Sequence, residues 1–298
     1  MRAIRNPFLP AGLAAVFALG LAACSDSSSP ATPALSAAQA DSLGEVVVAD
    51  VQSELDAVTM SGAVAFNPFP ATVVAPAISA APGAICMPAR SPVSPGNADG
   101  DRVPDSVRLD FTGCVVAHPL FTDTISGTID VIDPTPTAPD HAVKRVFTDF
   151  RHVEVNNLTL QSRAQTLNGV RQVSRDSSML SQSATNFRTD YVFRDGSTAT
   201  HVRTWTSVFT ADVAGAIRPD TILPSGTWNI AGTSSWTRGS NTWSLTVTTN
   251  PALHYDAGCT VGPKFDAGTV TAVATRNGNT STVTIQFTAC GQFTVTRS

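Results

Sequence analysis

The chain has 298 residues, of which 42% are hydrophobic and 14% charged, and its formal net charge is -4. This length and hydrophobic content suffice for a buried core. The acidic balance supplies none of the basic surface that nucleic acid requires, so no nucleic-acid partner is expected. At the amino terminus, Arg2 and Arg5 precede an apolar run over residues 11–20, which is too short to span a bilayer. This pattern predicts a signal peptide over residues 1–23.

The predicted signal peptide ends in Leu21-Ala22-Ala23-Cys24, which resembles the lipobox of bacterial lipoproteins. The resemblance implies cleavage before Cys24 and attachment of this residue to a membrane through several acyl chains, palmitate among them. Ser25 in the second mature position implies the outer membrane, by analogy with enteric bacteria. An ordinary secretory signal with Cys24 at its cleavage site is the alternative. We therefore expect a lipid-anchored protein of the bacterial cell envelope, with a flexible Ser/Pro/Ala-rich tether over residues 24–35.

An amphipathic helix is predicted over residues 36–60. Ser36 and Gln39 have the spacing of a capping box at its start. One face should be buried against a sheet, and its apolar residues are Leu43, Val47, Val51, Leu55 and Val58. The remaining surface of the helix is acidic.

Residues 61–298 are predicted to form one disulfide-stapled β domain. After a proline-rich segment, β-prone runs alternate with hairpin signals at Asn168-Gly169, Asp195-Gly196, Gly239-Ser240 and Asn277-Gly278. Consecutive hairpins favour a mainly β fold, an antiparallel meander of about ten strands that forms a curved sheet or a partly closed barrel with the helix on its apolar face. A two-sheet β-sandwich is the alternative.

The Gly239-Ser240 turn should pair Trp236 with Trp243 and separate an apolar face from a Ser/Thr face. The apolar face would carry Trp228, Ile230, Trp236, Trp243, Leu245 and Val247. Because flat aromatic rings stack on sugars, and a concave apolar face could hold an acyl chain, Trp228, Trp236 and Trp243 are candidate ligand-binding residues. Simple burial in the core is the alternative, and the alternation favours it.

Two similar segments, residues 107–114 and 283–290, each alternate in hydrophobicity and end in a cysteine. Each also has one cysteine upstream. With Cys24 assigned to lipid, the repeat favours two local disulfides in an oxidising compartment, namely Cys86–Cys114 and Cys259–Cys290.

Oxygen-bearing groups recur at alternate positions of one short loop, and they belong to Asn97, Asp99, Asp101, Val103 (through its carbonyl) and Asp105. The loop resembles the Asp-rich calcium loops of thrombospondin type 3 repeats. The resemblance implies a structural Ca²⁺ ion, the one cofactor we consider. A solvated acidic turn is the alternative.

No catalytic motif stands out in the sequence. The five histidines have no zinc-ligand spacing, and nucleophile-elbow and Walker A motifs are absent. Asp190 and His201 should face each other across the Asp195-Gly196 hairpin, but such a pair without a nucleophile is usually a surface contact. We therefore expect a non-enzymatic structural or binding module with an unknown envelope partner. The alternatives are a carrier of a hydrophobic ligand such as a lipid, and a calcium-stabilised adhesin or an enzyme of unrecognised type.

Overall fold

The computed structural model describes residues 88–298 apart from 102, 139–140, 219–221 and 277–278, together with 43–44, 47–48 and 51. The predicted signal peptide, the tether, Cys24 and Cys86 lie outside the described residues. They therefore stay predictions.

The described part of the chain is mainly β, as the hairpin signals predict. Its strands are β1 (Ala89–Ser91), β2 (Ser106–Asp110), β3 (Cys114–Ala117), β4 (Phe121–Ile132), β5 (Ala142–Asn156), β6 (Ser162–Arg175), β7 (Met179–Val192), β8 (Thr198–Ala211), β9 (Gly226–Arg238), β10 (Asn241–Thr249), β11 (Leu253–Tyr255), β12 (Phe265–Arg276), β13 (Asn279–Ala289) and β14 (Gln292–Arg297).

All these strands belong to one antiparallel sheet with the order β1-β2-β4-β5-β6-β7-β8-β9-β10-β12-β13-β14. Strand β3 also pairs with β4, and the short strand β11 pairs with both β9 and β12, which closes a local ring of strands. The structure thus confirms the curved, partly closed antiparallel sheet. It contains more strands than the hairpin signals indicate.

Three of the four hairpin signals lie between paired strands. Around Gly239-Ser240, Trp236 pairs with Trp243, in the predicted register. Strands β7 and β8 flank the Asp195-Gly196 turn, and β12 and β13 pair on either side of residues 277–278. The prediction that Asp190 faces His201 is wrong, because Asp190 pairs with Thr200. The turn places the two strands one residue away from the assumed register.

The hairpin predicted at Asn168-Gly169 is also wrong, since both residues lie inside β6. The ladder between β6 and β7 shifts register between Asn168 and Val170. Gly169 has a φ of 124°, and a Cβ at this position would lie 2.8 Å from the Cα of Phe187. The Asn-Gly pair therefore marks a β-bulge, which requires the same backbone freedom as a tight turn.

This irregularity belongs to a line of bulges that crosses the long strands. The ladders shift register at Ser126/Thr128 in β4, at Phe147/Phe150 in β5 and at Ala184/Phe187 in β7. Asp149 in β5 and Asn186 in β7 both have positive φ values, of 46° and 47°. Aligned bulges bend neighbouring strands at the same level, so this line marks where the sheet curves.

One face of the sheet carries the core. In β9, the buried residues Trp228, Ile230, Ser234 and Trp236 alternate with exposed or half-buried ones. Leu245 and Val247 continue the core on β10. This arrangement confirms the apolar face that the alternation predicts.

Five residues of the predicted helix are described, and all are helical. Val47, Val48 and Val51 are buried in the same core, and Leu43 packs against it. A Cβ on Gly44 would lie 2.7 Å from a methyl group of Val295 in β14. The rest of residues 36–60 lies outside the described residues, so the amphipathic helix stays a prediction. No helix in the described part of the chain is long and apolar enough to cross a membrane.

Candidate metal centre and the two faces of the sheet

The acidic loop before β2 is closed by its own hydrogen bonds. The Asp105 amide donates to the Gly96 carbonyl at 2.8 Å, and the Ala98 amide donates to Asp105 Oδ1 at 3.0 Å. The Gly100 amide donates to Asn97 Oδ1 at 2.8 Å. Asn97 and Asp105 thus use side-chain oxygens to hold the loop in shape.

Asp99 and Asp101 are each fixed by an amide two residues further along the chain. The Asp101 amide donates to Asp99 Oδ1 at 3.1 Å, and the Val103 amide donates to Asp101 Oδ1 at 2.7 Å. Such local bonds are typical of Asp in turns. They orient both carboxylates. The Oδ2 atom of each accepts no hydrogen bond from the described residues.

A third carboxylate reaches this loop from the end of β4. The Asp133 amide donates to the Asp105 carbonyl at 3.2 Å, which joins the two segments. Asp133 Oδ1 accepts a hydrogen bond from the Thr135 amide at 2.8 Å. One carboxylate oxygen from each of Asp99, Asp101 and Asp133 lies within 4.8 Å of the other two. We call these three residues the Asp cluster.

The Asp cluster is largely removed from solvent. Asp101 is 4% exposed and Asp133 is 3% exposed. Burial raises the pKa of Asp101, and the charges of Asp99 and Asp133 raise it further, against the opposing hydrogen bond from the Val103 amide. His141 stands at the edge of the cluster, with Nδ1 3.8 Å from Asp101 Oδ2. Chemically, the cluster offers three negatively charged oxygen ligands to a hard cation.

The sequence therefore locates part of this site. Of the predicted calcium ligands, Asp99 and Asp101 join the cluster, whereas Asn97 and Asp105 close the loop. Val103 is buried and donates its amide to Asp101. Asp133 was missed. The residues Asp133-Pro134-Thr135 after a β-prone run indicate a capped turn, but nothing in the sequence places that turn beside the acidic loop.

The apolar face that carries the tryptophans is tightly packed. Trp228 is 1% and Trp236 8% exposed, whereas Trp243 is half-buried. The ring of His201 stacks on Trp236 with centroids 3.9 Å apart, and Phe209 packs on Trp228 at 5.5 Å. The side chains proposed for ligand binding therefore contribute mainly to the core.

The opposite face of the last strands is nearly uncharged. On β9, β10, β12, β13 and β14 its side chains alternate with buried ones and are Thr, Ser, Asn, Gln, Ala or Val, apart from Asp266 beside the buried Phe265 at the start of β12. Thr248, Thr271, Thr284 and Thr296 are direct neighbours on β10, β12, β13 and β14 and form a row across the sheet. Thr237 and Thr242 are hydrogen-bonded through their hydroxyls at 3.3 Å. We call this surface the hydroxyl face.

The described cysteines are all disulfide-bonded. Cys259 and Cys290 form a disulfide with a Cα–Cα distance of 5.7 Å, as predicted. Cys114 is also disulfide-bonded, while Cys86, its predicted partner, lies outside the described residues.

Comparison of the chain with protein-family models, with curated proteins and with solved structures gives no match.

Proposed function

We propose that this chain is a lipid-anchored protein of the bacterial cell envelope that acts as a non-enzymatic structural or binding module. The resemblance of residues 21–24 to a lipobox supports the anchor. The hydroxyl face is the observation that carries the binding role. A large sheet surface that carries Asp266 at its edge and otherwise no charge favours an uncharged polar partner over an ionic one.

The hydroxyl face is pre-shaped for contact. Its side chains stand on strands whose other face is fixed in the core by residues such as Val247, Val270 and Ile285. Threonine is β-branched, so its side chain loses little freedom when a partner binds. The surface can therefore present hydroxyl and methyl groups at a small entropic cost.

The anchor is tested by metabolic labelling with palmitate and by membrane fractionation. The full chain should incorporate label and sediment with membranes, and Cys24→Ser should abolish both. Palmitate incorporation into Cys24→Ser, or an unlabelled full chain, would contradict the anchor.

The binding role is tested in cells with a photo-cross-linking residue at Thr271, in the middle of the hydroxyl face. We expect a discrete adduct with an envelope component. The matched control places the same residue at Thr159, an exposed turn position far along the chain. Thr284→Lys, which adds charge beside Thr271, should remove the adduct. Equal adducts at Thr271 and Thr159 would refute the assignment of the face.

A second candidate function is the carriage of a hydrophobic ligand with a polar end. It is favoured by the buried indole N–H groups of Trp205, Trp228 and Trp236, which have no hydrogen-bond partner among the described residues. A ligand with carbonyl or carboxylate oxygens could satisfy such donors. Native mass spectrometry of protein purified from its own envelope tests this: a lipid-sized mass lost on mild denaturation supports carriage, and a bare polypeptide mass opposes it.

A further inference from the structure

We propose that the Asp cluster, formed by Asp99, Asp101 and Asp133, binds a calcium ion that clamps the acidic loop of residues 96–105 to the end of β4. This inference is independent of the proposed envelope function.

The backbone orients the three carboxylates. In each residue of the Asp cluster, Oδ1 accepts a backbone amide hydrogen bond, at 3.1 Å in Asp99, 2.7 Å in Asp101 and 2.8 Å in Asp133. Each Oδ2 atom is buried and has no hydrogen-bond partner among the described residues. The backbone therefore fixes one oxygen of each carboxylate and leaves the other for the shared space between them.

Asp133 is a buried carboxylate that does not belong to the acidic loop. It lies on a different segment, is 3% exposed, and still directs its carboxylate toward Asp99 and Asp101. The side chain of Asp101 is fully buried. Burying a carboxylate is strongly unfavourable, His141 approaches Asp101 only to 3.8 Å, and placing like charges together adds repulsion. A bound cation removes both penalties.

The type of ligand atom in the Asp cluster selects the cation. The atoms that converge are all carboxylate oxygens, and His141 is not among the grouped ligands. Oxygen-only sites with several carboxylates suit Ca²⁺, whereas Zn²⁺ favours nitrogen and sulfur. Mg²⁺ demands a stricter octahedral geometry and keeps more of its water. Backbone carbonyls and water would complete the calcium shell.

The position of the cluster gives the ion a structural role. Strands β2 and β4 are neighbours, and Ser106 at the start of β2 pairs with Ile132 at the end of β4. Asp101 and Asp133 therefore extend from the same end of two adjacent strands. A cation between them ties the first strands of the sheet together, so the unfolding temperature should rise with calcium concentration.

The test uses the full chain in detergent, stripped with a chelator and titrated with CaCl₂ by isothermal calorimetry and thermal unfolding. The wild type should bind calcium and unfold at a higher temperature when loaded. Asp133→Asn keeps the oxygen that caps Thr135 but removes one charged ligand, and it should weaken calcium binding at least tenfold, since loss of a group that only supports a ligand already costs about this much.

The matched control is Asp110→Asn. Asp110 Oδ1 accepts a hydrogen bond from the Thr112 amide at 2.8 Å, the same turn as in the cluster, yet Asp110 is not one of the grouped ligands. Its calcium affinity should equal that of the wild type. Equal losses in Asp110→Asn and Asp133→Asn would refute the site.

A second readout separates binding from a purely structural role. Without calcium, Asp133→Asn should unfold at a higher temperature than the wild type, because it relieves repulsion, and with calcium the order should reverse. An unfolding temperature that falls equally in both conditions would overturn the proposal. So would a wild type that shows no binding heat and no shift at millimolar CaCl₂, or one that responds to MgCl₂ as strongly as to CaCl₂.

Discussion

Asp149 in β5 and Asn168 in β6 are hydrogen-bonded to each other at the line of bulges. Asn168 Oδ1 accepts a hydrogen bond from the Asp149 amide at 2.8 Å, and Asn168 Nδ2 donates to Asp149 Oδ1 at 3.2 Å. Asn186 and Thr204 repeat the arrangement on β7 and β8, where the Asn186 amide donates to Thr204 Oγ1 at 3.1 Å. Side chains thus bond the backbone at two of the four bulges, where the ladder is interrupted, so part of the curve of the sheet is built into the sequence.

Gly127→Ala, at the line of bulges, should strongly destabilise the fold. Gly127 has a φ of 92°, and a Cβ there would lie 2.2 Å from the carbonyl oxygen of Asp149. The strands would have to separate, so we expect the free energy of unfolding to fall by about 3 kcal/mol or more in urea denaturation.

The control for that prediction is Gly196→Ala. Gly196 also has a positive φ, of 78°, but a Cβ there would meet nothing within 4 Å. Only backbone strain remains, so the free energy of unfolding should fall by about 1 kcal/mol. Equal costs for the two variants would show that close contact at Gly127 does not hold the bulge.

The disulfide Cys259–Cys290 should stabilise the last strands. It joins residues separated by 31 positions, so its removal by Cys290→Ser should lower the free energy of unfolding by about 3 kcal/mol. Maleimide labelling and mass spectrometry of the unfolded variant should find a new thiol at Cys259. The double variant Cys259→Ser/Cys290→Ser should show no such label. Peptide mapping that linked Cys259 to Cys86 would contradict the pairing.

His201 predicts a loss of stability in acid. Burial lowers its pKa to about 2, and the positive charges of Arg203 and Arg171 add to the effect. Below the unfolded-state pKa of about 6.5, only the unfolded chain binds this proton, so stability falls as the pH falls. At pH 5 this amounts to about 2 kcal/mol relative to pH 7.5.

His201→Phe keeps an aromatic ring against Trp236 and removes the titration. Denaturation at pH 5 and 7.5 should show that the variant loses about 2 kcal/mol less than the wild type over this interval. An unchanged pH dependence would mean that His201 does not stay neutral in the folded protein.

His254 predicts the opposite pH dependence. Its Nδ1 lies 2.6 Å from Asp266 Oδ1 and its Nε2 lies 3.0 Å from Asp212 Oδ2. Hydrogen bonds to Asp212 and Asp266 raise the pKa of His254 above 6.5. The stabilisation from its proton is complete below pH 6.5 and is lost as the pH rises through the folded-state pKa.

His254→Gln should therefore destabilise the protein most at low pH, and its difference from the wild type should shrink as the pH rises above 6.5. Denaturation midpoints between pH 5 and 9 measure this difference, and an NMR titration of the His254 ring gives its pKa directly. A difference that grows with pH would contradict the assignment.

The hairpin around Gly239-Ser240 shows what could be predicted. Its register follows from a short turn between two strands whose apolar residues alternate, since a shift of one residue would expose Trp236 and Leu245. Asn168-Gly169 shows what could not be predicted from the sequence. The same dipeptide serves a turn or a bulge, and only the strands beside it decide between them.

The sequence by itself determined the mainly β class, the apolar and hydroxyl faces, and the Cys259–Cys290 pairing, because these depend on alternation and on neighbours along the chain. Tertiary structure alone decided the line of bulges and the joining of Asp133 to Asp99 and Asp101. Those features depend on which strands become neighbours and on their exact alignment. A one-residue shift in that alignment would have moved Asp133 away from the acidic loop.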